Sequence, residues 1–183
     1  MRVRTILAVL PLVAAGWAVY AFVVVPWQCS HRKRESEAFI KQFAVTEQPW
    51  PTRFARMRET SAAIDCCIEH LPNDVDLRME AAACALILGN TDRAIEQYRA
   101  ALRSDRRPEI YLELGTALYN NGRRQEAVVA FARIYSFATF IINYDNNLPW
   151  SGGEGVLDQI PQELHQDVLR ESARQKSLLP GRS

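Results

Sequence analysis

Gly89-Asn90-Thr91-Asp92-Arg93-Ala94 and Gly122-Arg123-Arg124-Gln125-Glu126-Ala127 are two versions of one phrase, set 33 residues apart. A period of this size is the mark of a helical repeat, and it has to be found before any element is assigned. Upstream of each glycine lies a helical stretch, Asp76 to Leu88 and Glu109 to Asn121; downstream lies another, Asp92 to Leu102 and Gln125 to Phe137. The glycines supply the left-handed backbone that ends one helix and lets the chain turn within a few residues. Ala94 and Ala127, five residues after the glycines, are small enough for the second helix to approach the first. Tyr98 and Phe131 follow four residues later on the same helical face, where their rings fill the space between helices. The predicted architecture is therefore all-α, a stack of antiparallel helix pairs.

The later unit is the clearer one. Tyr111, Leu114, Gly115, Ala117 and Leu118 give its first helix a facing stripe, and Pro108, like Pro72, stands at a junction where one helix stops and the next opens. With an aromatic residue, Leu-Gly, Ala, Gly, Ala and Phe at this spacing over Pro108–Ala138, the chain resembles the tetratricopeptide repeat (TPR) family. Val75–Arg107 resembles it too, departing at Arg78, where a large apolar residue is expected, and at Ala81-Ala82, which replace Leu-Gly; Leu77 or Met79 takes over the packing. The resemblance implies an α-solenoid whose first helices line a concave, protein-binding groove. Carried over position by position, that groove comprises Met79, Ala83, Leu86 and Ile87 with Asp76 in one unit, and Leu112, Thr116, Tyr119 and Asn120 with Glu109 in the next. Its occupant is either a partner helix or peptide, or the chain's own C-terminal segment.

Stacks of this kind need about three units, because each exposes an apolar face that only a neighbour covers. The expected division is a transmembrane anchor at 1–30, a juxtamembrane linker or helix at 31–51, a degenerate repeat or capping helix at 52–74, repeats at 75–107 and 108–140, an aromatic loop at 141–160, a C-terminal capping helix at 161–178 and a tail at 179–183. In the cap, Pro161 suits a first helical position and Leu164, Val168 and Leu169 form a stripe. Trp150 and Tyr144 in the loop either anchor an interface or fold back over the stack.

The anchor rests on Thr5 to Trp27, 23 residues without a charge. As a helix this run spans about 34 Å, against the ~30 Å of a bilayer's hydrocarbon core. Trp17, Tyr20 and Trp27 supply amphipathic rings, Trp27 at the position of an interfacial belt, and Pro11 is tolerated in a membrane helix. A cleavable signal peptide has a shorter apolar run, and Val25-Pro26-Trp27-Gln28 is too bulky for lipidation of Cys29. Two basic residues precede the span (Arg2, Arg4) and four follow closely (Arg32, Lys33, Arg34, Lys41), so flanking charge places a single-pass protein's repeat domain in the cytoplasm; export is the competing orientation.

From Glu35 onward 17 of the 22 Lys and Arg remain against all 21 acids, a balance of −4. That body is unsuited to nucleic acid, which needs a basic face. Arg99, Arg103, Arg106, Arg107, Arg123 and Arg124 gather near the turns but are interleaved with acids. The cysteines read as small buried apolar residues rather than disulfide or metal ligands. His31, His70 and His165 stand away from any nucleophile or carboxylate at catalytic spacing, and Gly152-Gly153-Glu154-Gly155 lacks the lysine and preceding strand of a phosphate loop. No enzymatic activity, cofactor or metal is expected. The function expected is that of a membrane-anchored adaptor or scaffold, binding other proteins within a membrane complex. The alternative is an accessory structural subunit whose transmembrane helix is the main interface.

Overall fold

The computed structural model describes residues 13–142 and 159–178. They are helical throughout apart from short turns, and the chain divides into two compact units, Met1–Leu88 and Gly89–Ser183.

The first unit begins with a continuous helix, Val13–Gln42. It winds as a π-helix over Tyr20–Val24 and as an α-helix, α1, over Val25–Gln42. Pro26 gives the reason. It has no N–H for the carbonyl four residues back, and the Val25 N–H reaches Tyr20 O, so the ladder shifts by one residue instead of breaking. The first part of the apolar span, including Pro11, lies outside the described residues. Helix α2 follows at Trp50–His70 and α3 at Val75–Ile87, whose first turn is capped by the Asp74 carboxylate accepting from the Leu77 N–H at 3.0 Å.

The register of these helices is fixed by three meetings of α1 with α2. Arg53 Nη1 donates to Phe43 O at 2.9 Å, the Arg56 guanidinium lies 4.5 Å from the Phe39 ring, and the Cys67 thiol pairs with Cys29. As one number rises the other falls, so α1 and α2 are antiparallel. Helix α3 runs alongside α1 in the same direction: Lys33 Nζ lies 3.7 Å from Asp74 and 2.7 Å from Asp76, and Ser36 Oγ donates to Glu80. Val25, Cys29, Phe39, Met57, Ile64, Cys67, Leu77, Ala81 and Cys84 share one buried cluster. Leu77 therefore performs the packing that Arg78 cannot, while Met79 stays half-buried. Of the four cysteines, all free, Cys66 departs from the buried reading, because its neighbour Cys67 already occupies the inward position of the helix.

The second unit contains α4 (Thr91–Ser104), α5 (Pro108–Asn120), α6 (Arg124–Ile142), a 3-10 turn (Gln162–Leu164) and α7 (His165–Ser177). Gly89 and Gly122 have φ of 78° and 74°, the left-handed backbone the repeat requires. Asn90 caps α4 by accepting from the Arg93 N–H. Ala94, Ala127, Tyr98 and Phe131 are buried, as are Leu114, Gly115, Ala117 and Leu118 of the expected α5 stripe; Tyr111 is half-buried, and Ile110 takes the inward position four residues before Leu114. Three-residue links, 105–107 and 121–123, make α4/α5 and α5/α6 antiparallel hairpins. Pro161 precedes a 3-10 turn and so caps it rather than opening an α-helix. In α7 the inward row is Val168, Ser172 and Gln175 following Leu164, and Leu169 points outward, since 3.6 residues per turn carry it off that face.

Candidate protein-binding surface

Helix periodicity divides α3 and α5 into two faces. On α3 the buried residues are Leu77, Ala81, Ala82, Cys84 and Ala85; Met79, Ala83, Leu86 and Ile87 are half-buried and interleave with them. Met79, Ala83 and Leu86 follow at intervals of four and three, so they lie along one side of the helix. Ile87 turns further round and packs partly against the core of its unit. On α5 the buried set is Ile110, Leu114, Gly115, Ala117 and Leu118. Leu112 and Tyr119 are half-buried, and Thr116 and Asn120 are exposed. The Thr116 hydroxyl is turned back onto Leu112 O at 2.9 Å, which leaves the Leu112 side chain as the apolar feature of that face.

Part of the α5 face meets the chain itself. Tyr119 donates its hydroxyl to the Glu163 carboxylate, a contact that raises the phenol's pKa, first through this hydrogen bond. One turn of chain further on, Arg124 Nη2 donates to Glu163 O at 3.0 Å and to Asp167 at 3.3 Å. His165 is engaged locally, its Nε2 lying 2.8 Å from Ile160 O. The segment Ile160–Ser177 thus meets the turn end of the α5/α6 hairpin, while Leu112 lies two helical turns before Tyr119 on α5. Trp150 and Tyr144, and the glycine-rich stretch beside them, lie outside the described residues.

Four of the arginines near the turns are paired with acids. Arg99 and Arg123 converge on Glu126 at 2.5 and 2.7 Å, Arg107 meets Asp105 at 3.0 Å and Arg124 meets Asp167. These partners are exposed, so each pair contributes little to stability. Periodicity did not reveal a shallow groove of about 460 Å3 in the second unit, between Arg99 of α4, Tyr111 and Leu118 of α5, and Val129 and Arg133 of α6. Its one sequence signal is Val129, an apolar residue on the polar side of α6 that is 45% exposed. Among the described residues no group of three or more His, Cys, Asp or Glu side chains is placed to hold a metal ion.

No protein-family profile matches the chain, and no characterised protein matches it in sequence. Among solved structures it is similar to a thermophilic TPR protein of Thermus thermophilus, with a TM-score of 0.54 at 18% identity, over 89% of this chain and 70% of that one. The likeness is one of fold: helical hairpins of TPR type, with one apolar N-terminal helix preceding them here.

Proposed function

We propose that the protein is a membrane-anchored adaptor, held in the bilayer by the helix that contains Val13–Trp27 and binding a partner protein through the outward faces of its repeat helices. The observation that carries the anchor is the exposure of large apolar side chains over most of this helix, away from its Val25 side: Trp17 is 69% exposed, Phe22 78%, Val23 60% and Trp27 64%. Side chains of this size are left in water only at a cost of ~1.5–3 kcal/mol each, so the segment has an apolar surrounding. Protein binding is supported by the TPR-type fold and, in each unit by itself, by the half-buried row Met79, Ala83 and Leu86 beside Ile87 on α3, and by Leu112 with Thr116, Tyr119 and Asn120 on α5. Flanking positive charge orients the repeats toward the cytoplasm. The anchor is tested by extracting membranes with alkaline carbonate. A chain that stays with the lipid pellet supports it, and one released with peripheral proteins refutes it.

The π-wound turn Tyr20–Val24 favours a second reading, because such irregularities often mark contact sites in helices. In that reading the span itself joins a membrane complex and the repeats form a structural lid. Replacing residues 5–24 with an unrelated transmembrane helix separates the two. An adaptor keeps its partner after the exchange, and an accessory subunit loses it.

A further inference from the structure

Where the lipid-facing part of the long helix ends and the packed core of the first unit begins can be read residue by residue. The apolar run gives way to Gln28 after Trp27, yet Val25 is 7% exposed and Cys29 4%, both within the core cluster of the first unit. Trp27, between them, faces outward. The core thus starts before the apolar run has finished, and the helix is continuous from Val13 to Gln42. No flexible linker separates the two.

The helix register then sets the height of every other element. Cys29 meets Cys67, Phe39 meets Arg56 and Phe43 meets Arg53, so the C-terminal end of α2 lies level with Val25. Leu71, just past that end, packs on the same cluster. Helix α3 starts level with Lys33. The turn from Leu71 to Asp74 is therefore the part of the unit nearest the bilayer, while Gln48, in the link after α1, lies roughly 24 Å further out along the helix axis.

Resting on the anchor reading, we infer that the Leu71–Asp74 turn sits on the headgroup layer of the membrane that holds the helix, so that the first unit is seated on the lipid surface. The placement follows from the helix register, and the charges at this end leave no net negative field against lipid phosphates. Asp74, in the turn, and Asp76, in the first turn of α3, both lie on Lys33, whose single charge offsets one of the two. Arg32 and Arg34 are exposed within two turns after Trp27, and Arg78 donates to Pro72 O at 2.8 Å, which brings its guanidinium to the turn. Glu35 and Glu69 are also exposed at this end, so its acids and bases are in balance. Pro72 and Asn73 are exposed and form the outermost point of the turn.

The test uses the full chain in liposomes of phosphatidylcholine with some phosphatidylglycerol, and a lipid carrying a nitroxide on its headgroup as quencher. An environment-sensitive fluorophore is attached at native Cys66, the exposed thiol, or in a Cys66→Ser background at Asn73→Cys or Gln48→Cys. Flotation is measured first: a chain that fails to float with the liposomes has lost the anchor reading itself. For chains that float, quenching is expected to be several-fold stronger at position 73 than at 48, with Cys66 between them. Equal quenching at 73 and 48, or stronger quenching at 48, overturns the inference while leaving the anchor intact. The Cys66 measurement needs no substitution, so it decides against position 48 even if Asn73→Cys misfolds.

Discussion

A Cβ placed on Gly115 would lie 2.5 Å from Cε1 of Phe131, so α5 and α6 meet at a distance that admits no side chain there. Phe131 is fully buried and cannot swing aside without opening the core of the second unit. Gly115→Ala gains about 1 kcal/mol from helix propensity. It loses ~1–3 kcal/mol to overpacking, and with a gap this short the loss dominates. A net destabilisation of up to about 2 kcal/mol is expected in denaturant unfolding, larger for Gly115→Val. Adding Phe131→Leu to Gly115→Ala should recover part of it; a double variant that sums the two single losses would mean that the pair does not touch.

The repeat was legible because its determinants are local. Glycine at the turn, alanine five residues on and a ring four residues beyond lie within one helical hairpin, and Gly89, Ala94, Tyr98 and their counterparts sit where that spacing puts them. The role of α1 was not legible. Val25 belongs to an apolar run that reads as lipid-facing all round and Cys29 follows just past its end, and the inward face they share appears only once α2 and α3 are packed against it. Lys33 with Asp76 and Ser36 with Glu80 are separated by 43 and 44 residues, beyond any periodicity. The same holds for the candidate surface: the two faces of α5 follow from its pattern, but the Tyr119 contact with Glu163 depends on a connection whose length says nothing about where it returns.

Stability should fall as pH rises toward neutrality, and Glu80 is the cause. Burial, opposed by the Ser36 hydroxyl and Lys33 and reinforced by Glu37 and Asp76, pushes its carboxyl up to about 7. A folded-state value above the unfolded one means that the stabilising contribution is complete below about pH 4.5 and is lost as pH rises through 7. Since the group keeps partial solvent access, the contribution is about 1–2 kcal/mol after discounting for screening. Glu80→Gln should leave stability unchanged below about pH 4 and raise it by that amount at pH 8, as read from urea midpoints. Parallel pH profiles for the two proteins would show that Glu80 titrates normally.

Thiol reactivity reports on the packing of α1 directly. Cys29, Cys67 and Cys84 are buried and Cys66 is exposed; burial, aided by the hydrogen bond with Cys29, pushes the Cys67 thiol up to about 12. A folded chain in mild detergent should take up one equivalent of maleimide rapidly and the remaining three only in denaturant. Rapid labelling of Cys29 in the folded protein would mean that the long helix stands free of the first unit.

Partner binding is most directly tested at Leu112, whose side chain is half-buried on α5 and remote from the Tyr119–Glu163 contact. Tyr119→Ala also removes that contact, so it tests the α5 face together with the fastening of the C-terminal segment. The decisive measurement is quantitative co-purification from mild detergent of tagged wild-type and Leu112→Glu chains, with helix content and unfolding midpoint matched. A partner recovered with the wild type and lost at least tenfold with Leu112→Glu is the predicted result. Equal recovery of every co-purifying protein from the two folded chains would contradict binding through this face.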